Sequence, residues 1–247
     1  MKKLFVFLTI CLSSAATFGQ HFNVKYGSPI VVFTKTNPWL MVLGSDVPSF
    51  VAYQNGQIIY NAKTGKTSKY FQVKLSPEEL KKTLSKLGIT DSLLKLPKQI
   101  DASSASDQPT NELLLNFDTL TKISVYGNLR GDEKARSQTP KPFLNVYDNL
   151  IGYKNNSATD WMPDSIEVMA TGYSYAPEKS MPWPKDWPNL KNTTTVKRSN
   201  NLYSIYLDKK YYADFIRLLF SLKEKQAIKI SGKKFSLSYR LPFPNLR

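Results

Sequence analysis

The sequence predicts an α+β protein: mostly antiparallel sheets of hairpins with about three amphipathic helices. Three observations carry this. Apolar runs flank tight-turn dipeptides, Asn55-Gly56 first among them. Amphipathic segments at helical spacing are few and set between hairpins. The hairpins follow one another without the long crossovers that parallel pairing needs.

The first strand is "PIVVF" (29–33), followed by the apolar run "PWLMVLGSDVP", closed by Gly44 and Pro48. Strands at 49–54 and 57–61 are joined through Asn55-Gly56, a pair that tolerates the positive φ of a two-residue hairpin turn. "YFQVKL" (70–75) alternates as a strand. Ser76, Pro77 and Glu79 then spell a capping box, Leu80, Leu84 and Leu87 share one helical face, and Gly88 ends the helix. "DSLLKLPK" reads as a short helix or a turn.

Residues 101–111 form a small polar loop, 112–117 and 121–127 a hairpin, and "GDEKARSQTPK" a polar link. Phe143, Val146, Tyr147, Leu150 and Ile151 mark a helix over 142–153. A strand over 164–175 runs into "SMPWPKDWPNL". "NLYSIYL" is a strand, residues 208–225 a helix capped by Asp208, and the chain closes as a hairpin turned at Ser231-Gly232-Lys233.

"FQVKLSPEELKKTLSKL" and "YSIYLDKKYYADFIRLL" share a pattern of strand, polar cap and helix. It marks either two similar α+β halves or the common grammar of such proteins. Residues 20–247 accordingly form one α+β domain, or two packed subdomains with a boundary near 101–111.

The N-terminus has the form of a bacterial secretory signal peptide, residues 1–19. Lys2 and Lys3 precede an apolar stretch, Leu4 to Leu12, that is short for a membrane span, and small residues follow. Cleavage is expected between Gly19 and Gln20. Lipidation at Cys11 is the weaker alternative, because Ile10 stands where a small residue is wanted. The mature chain is expected to be secreted or periplasmic.

The chain carries a net charge of +15, or +13 once Lys2 and Lys3 leave with the leader. The excess is diffuse lysine. It gives solubility and weak attraction to anionic surfaces, without the arginine forks of specific nucleic-acid readout. Apolar content of 41% and aromatic content of 13% indicate a folded chain.

Several chemistries are excluded. Cys11 is the single cysteine, so the mature chain has no disulfide and no thiolate nucleophile. His21 is the single histidine and sits beside the mature N-terminus, which argues against a histidine triad or an imidazole metal site. "TGKTS" (64–68) lacks a phosphate loop's first glycine, with Tyr60 in its place. Residues 101–112 lack the inner ligands of a calcium loop. Ser45 in "GSDVP" sits in an ordinary turn, and Asn155 and Asn192 head idle glycosylation triplets. No metal and no cofactor are expected.

Two features remain. Asp160, Asp164 and Glu167 crowd around Trp161, and two carboxylates are all that a glycosidase requires. The Trp-Pro segment places Trp183 and Trp187 before prolines, with Lys185 between them and Tyr173 and Tyr175 just upstream. A residue before proline is pushed out of the helical region, so the segment is a stiff, extended strap. It either packs on the protein's own sheet or presents aromatic rings to a ligand. The leading function is non-catalytic binding of a glycan, peptide or protein partner through Tyr173, Tyr175, Trp183, Lys185 and Trp187. The alternative is a carboxylate-dependent hydrolase of envelope or extracellular polymers. A third is a structural part of an envelope assembly.

Overall fold

The computed structural model describes residues 22–39, 46–65 and 67–246. The expected leader, Cys11, Gln20, His21 and Ser45 lie outside them. The described chain forms two mostly antiparallel sheets and five helices, the α+β architecture expected.

The first sheet has the order β5-β7-β6-β1-β2-β3-β4-β8. Its strands are β1 (Pro29–Lys35), β2 (Phe50–Tyr53), β3 (Gln57–Thr64), β4 (Thr67–Lys74), β5 (Gln99–Asp101), β6 (Thr110–Asn116), β7 (Leu120–Tyr126) and β8 (Thr159–Asp160). The second has the order β10-β13-β14-β9-β12-β11. It comprises β9 (Ser165–Gly172), β10 (Met181–Pro182), β11 (Val196–Ser199), β12 (Leu202–Asp208), β13 (Ile228–Ile230) and β14 (Lys233–Arg240). Among the described residues, only β5–β7 and β10–β13 pair in parallel. The chain passes from the first sheet to the second between β8 and β9, and residues 101–111 join β5 to β6 within the first.

The middle of the first sheet is buried on both faces. Val31 and Phe33 of β1, Phe50 and Ala52 of β2, and Ile58 and Tyr60 of β3 face one core. The helices α1 (Pro77–Lys86), α2 (Asp91–Leu94) and α4 (Lys141–Ile151) fill it with Leu80, Leu93, Phe143, Val146, Tyr147 and Leu150. The intervening Val32, Val51, Tyr53 and Ile59 face a second core. There they join Ile166, Val168 and Ala170 of β9, Ile205 and Leu207 of β12, and Phe215 of α5 (Tyr212–Ser221). Alternation along a strand sends neighbouring side chains to opposite faces, so these strands read as continuous apolar runs.

The Ser76–Glu79 capping box of α1 is present in both directions. Several details differ from the sequence reading: β5 and β11 are additional strands, β9 ends at Gly172 rather than at 175, and two helical segments change. The polar link holds a helix, α3 (Glu133–Gln138), whose first turn is capped by Asp132 Oδ1. It buries Ala135 alone, so it has no apolar periodicity to detect. Asp208 does serve as a cap, but first of a 3-10 turn at Lys209–Tyr211, and α5 ends at Ser221.

Gly56 has φ +90°, and a Cβ there would meet the Leu75 carbonyl oxygen at 2.1 Å. The approach is real packing, because the Leu75 N–H donates to the Gly56 carbonyl at 2.9 Å. Positive φ costs an L-residue about 1–2 kcal/mol before any overlap is counted. Gly56→Ala is therefore expected to lower the thermal midpoint by at least about 2–8 °C. A midpoint equal to the parent's in differential scanning calorimetry would refute the tight hairpin.

Candidate functional site

The Trp-Pro strap is built from main-chain parity. Met181 N–H donates to the Ala227 carbonyl at 3.0 Å and Trp183 N–H to that of Lys229 at 3.1 Å. Pro182 falls between them, where the N–H it lacks would point away from the sheet. Proline is tolerated there because β10 is an edge strand. The chain then turns, with Trp187 N–H donating to the Pro184 carbonyl at 3.3 Å. The Trp183 indole N–H closes the loop on the Pro188 carbonyl at 2.9 Å.

Both rings enter the second core. Trp183 and Trp187 meet edge to face at 5.1 Å, and Trp187 also packs against Tyr211 and Phe215. They are 7% and 8% exposed. Lys185 stays exposed on the turn between them. Tyr173 and Tyr175 stack edge to face at 4.9 Å in the β9–β10 connection, and Tyr175 is open to solvent. The five aromatic and lysine candidates thus divide into two buried rings, one surface lysine and a separate surface pair.

The three carboxylates are not brought to a common site. Asp160 sits in β8 at the edge of the first sheet, 3.5 Å from Lys69 Nζ. Asp164 is exposed and 2.9 Å from Lys209 Nζ, and that contact holds its carboxyl below the usual range. Glu167 lies in the middle of the second sheet, on the face away from the core, opposite Tyr206 and Arg240.

Glu167 is almost fully buried and densely partnered. Arg240 Nε donates to Oε2 at 2.7 Å, Ser204 Oγ to Oε1 at 2.5 Å, and Arg198 Nη2 to Oε1 at 3.4 Å. Burial pushes its carboxyl up, but the Ser204 hydroxyl, Arg240 and Arg198 outweigh it and the value ends below the ordinary carboxylate range. Such a group stays ionised and locked.

A polar cleft of about 580 Å³ opens beside the strap. Trp187 contributes to its lining, and so do Asp186, Asn189, Lys191, Asn192 and Thr194 of the strap's continuation. Tyr206, Asp208 and Tyr211 form the opposite side. Asn189 and Asn192 each accept from main-chain N–H groups two residues on, which fixes the shape of this wall. Apart from Trp187, the sequence reading missed these groups. Their signal was the turn-rich "NLKNTTT", which names a loop without saying which strand it overhangs.

A second cleft, about 410 Å³, lies between α1, α2 and the β6–β7 turn, lined chiefly by Pro77, Leu80, Leu84, Ile89, Leu94 and Phe117. It is largely apolar and offers few directional groups. Among the described residues no three His, Cys, Asp or Glu side chains converge as a metal site, and no helix is long and apolar enough to cross a membrane. No protein-family model, curated protein or solved structure matches the chain.

Two outcomes follow from the site. A core tryptophan cut to alanine costs about 3–5 kcal/mol. Trp183→Ala and Trp187→Ala should each lower the thermal midpoint by about 6–20 °C, and a shift of a degree or two would show the rings to be dispensable. Glu167 has a depressed folded-state value, so its stabilisation is complete above the ordinary carboxyl value of 4.5 and is lost as pH falls through the lower folded value. Urea unfolding from neutral pH downward should show this loss in the parent, and Glu167→Gln should flatten it. An identical pH profile for the two proteins would contradict the assignment.

Proposed function

We propose that the protein is a secreted or periplasmic binding protein that performs no catalysis and holds its ligand in the polar cleft beside the Trp-Pro strap. Its ligand class is that of envelope or extracellular glycans, peptides or protein segments. The observation that carries this reading is the cleft itself. Carboxylates, amides, hydroxyls and two tyrosines converge there on a floor pinned by a core tryptophan. Convergent polar groups on a rigid support are what orient a ligand. The leader-like N-terminus supports an extracytoplasmic setting.

The hydrolase alternative needs a carboxyl kept protonated as a general acid, paired with a second carboxylate across the scissile bond. Asp164 is held low by Lys209 and Glu167 by the Ser204 hydroxyl with Arg240 and Arg198, and Asp160 belongs to the other sheet. That arrangement favours binding over turnover.

The test pairs binding with turnover. Envelope polysaccharide fragments and random peptides are screened by calorimetry against the parent, Lys191→Trp, which fills the cleft, and Glu167→Gln. The expected result is a ligand lost by Lys191→Trp at an unchanged thermal midpoint, with no product released by any variant. Product release by the parent that Asp164→Asn or Glu167→Gln abolishes would overturn the reading.

A further inference from the structure

We propose that the cleft is a strand acceptor: an extended peptide pairs with the open edge of β12. This rests on the cleft being the binding site. It is carried by the register of the strands.

Between β12 and β9, Gly172 N–H donates to the Asn201 carbonyl at 2.7 Å and Lys209 N–H to that of Asp164 at 2.9 Å. Main-chain groups alternate along a strand, so odd-numbered residues from 201 to 209 point at β9. The N–H and C=O groups of Ser204, Tyr206 and Asp208 point to the other side, where β11 lies. The β11–β12 ladder runs Lys197↔Tyr203 and Val196↔Ser204, and stops. Continued in register it would set Thr194 opposite Tyr206 and Asn192 opposite Asp208. Neither pair forms, and all four residues line the cleft.

The cleft is therefore the place where a two-stranded edge has parted. Among the described residues nothing bonds the main-chain N–H of Tyr206 or Asp208, or the Tyr206 carbonyl. A strand edge in this state is a template for another chain. The open stretch, Ile205–Asp208, gives about four residues of pairing at roughly 3.4 Å each.

Two further observations separate a peptide from a sugar. Sugar faces need open aromatic faces, yet Trp187 is 8% exposed and Lys210 Nζ sits 4.9 Å over the Tyr211 ring. The cleft brings together both signs of charge: the carboxylates Asp186 and Asp208 and the ammonium of Lys191 in its lining, with Lys210 over the Tyr211 ring and Arg198 Nη2 donating to the Tyr206 hydroxyl at 3.1 Å. Such mixed charges meet the charged side chains of a peptide rather than a neutral sugar.

The test pans a displayed library of random dodecapeptides on the full chain and probes an array of polysaccharide fragments in parallel. The recovered peptide is then synthesised with N-methyl groups at alternate residues, in both parities. Peptides are expected to be captured and polysaccharide fragments are not. N-methylation in one parity should weaken binding by about tenfold or more and in the other leave it near the parent value. Hydrogen exchange at the Tyr206 amide should slow on binding, and Lys191→Trp should abolish capture.

Peptides bound with equal tolerance of both parities would overturn strand pairing. So would a polysaccharide fragment whose binding is lost in Lys191→Trp, although the cleft would stand as the site. Self-association of the chain that Lys191→Trp abolishes would make a second copy the occupant and overturn the peptide assignment. If peptides and polysaccharides bind the parent and Lys191→Trp alike, or neither binds, the cleft fails as a site altogether.

Discussion

The constraint on which the structure depends is that the first sheet has no solvent face in its middle. β1, β2 and β3 must satisfy one core with Val31, Phe33, Phe50, Ala52, Ile58 and Tyr60, and another with Val32, Val51, Tyr53 and Ile59. Polar groups enter these stretches where they find partners, as the Tyr53 hydroxyl does by donating to the Pro244 carbonyl and the Tyr60 hydroxyl by accepting from the Asn155 N–H. Both layers of the protein are thus tied to the same strands. The helices α1, α2 and α4 cover one side, and the second sheet, α5 and the Trp-Pro strap cover the other. A change in strand register would exchange the two side-chain sets and damage both cores at once.

The strap's role follows from that arrangement. The second core is filled from the first sheet, the second sheet and α5, and it is closed by large rings rather than by another strand. Trp183 and Trp187 supply those rings, with Trp161 and Phe243 packed against Tyr70 farther along. Prolines hold the segment extended before it folds, so little entropy is lost when it docks. The price is a chain that cannot continue as a regular strand. After Pro188 it returns toward β12 as a series of turns, and it rejoins the sheet only at Val196. The cleft is the gap left by that detour.

Most of the fold was legible in the sequence because its signals are local. The Asn55-Gly56 turn, the Ser76 capping box and the apolar face of α4 each declare themselves within about ten residues. α3 was not legible, because a helix that buries only Ala135 leaves no periodic trace. The site was legible in part. Trp187 was read as a candidate, but the groups across from it, Tyr206 and Asp208, lie in a strand whose neighbour depends on sheet order. The cluster of Asp160, Asp164 and Glu167 misleads for the same reason. Residues close in sequence are separated when the chain changes sheets between β8 and β9, and Glu167 turns to the outer face to meet Arg198 and Arg240.

How the other strand edges are guarded sharpens the meaning of the open one. β5, β8 and β10 are two or three residues long, and β10 contains Pro182. β11 carries Lys197 and Arg198, and β4, paired with β8 only at Phe71 and Gln72, carries Lys69 and Lys74 at its uncovered ends. Shortness, proline and lysine are the usual means of discouraging edge-to-edge association. The uncovered end of β12, Ile-Tyr-Leu-Asp, has none of them within the strand. Its protection is external, an overhang of residues 186–194 that leaves room beneath. An edge guarded by its own side chains discourages every strand, whereas an edge beneath an overhang keeps its main-chain groups open to a strand that fits the gap. That difference separates a surface built to avoid pairing from one built to select it.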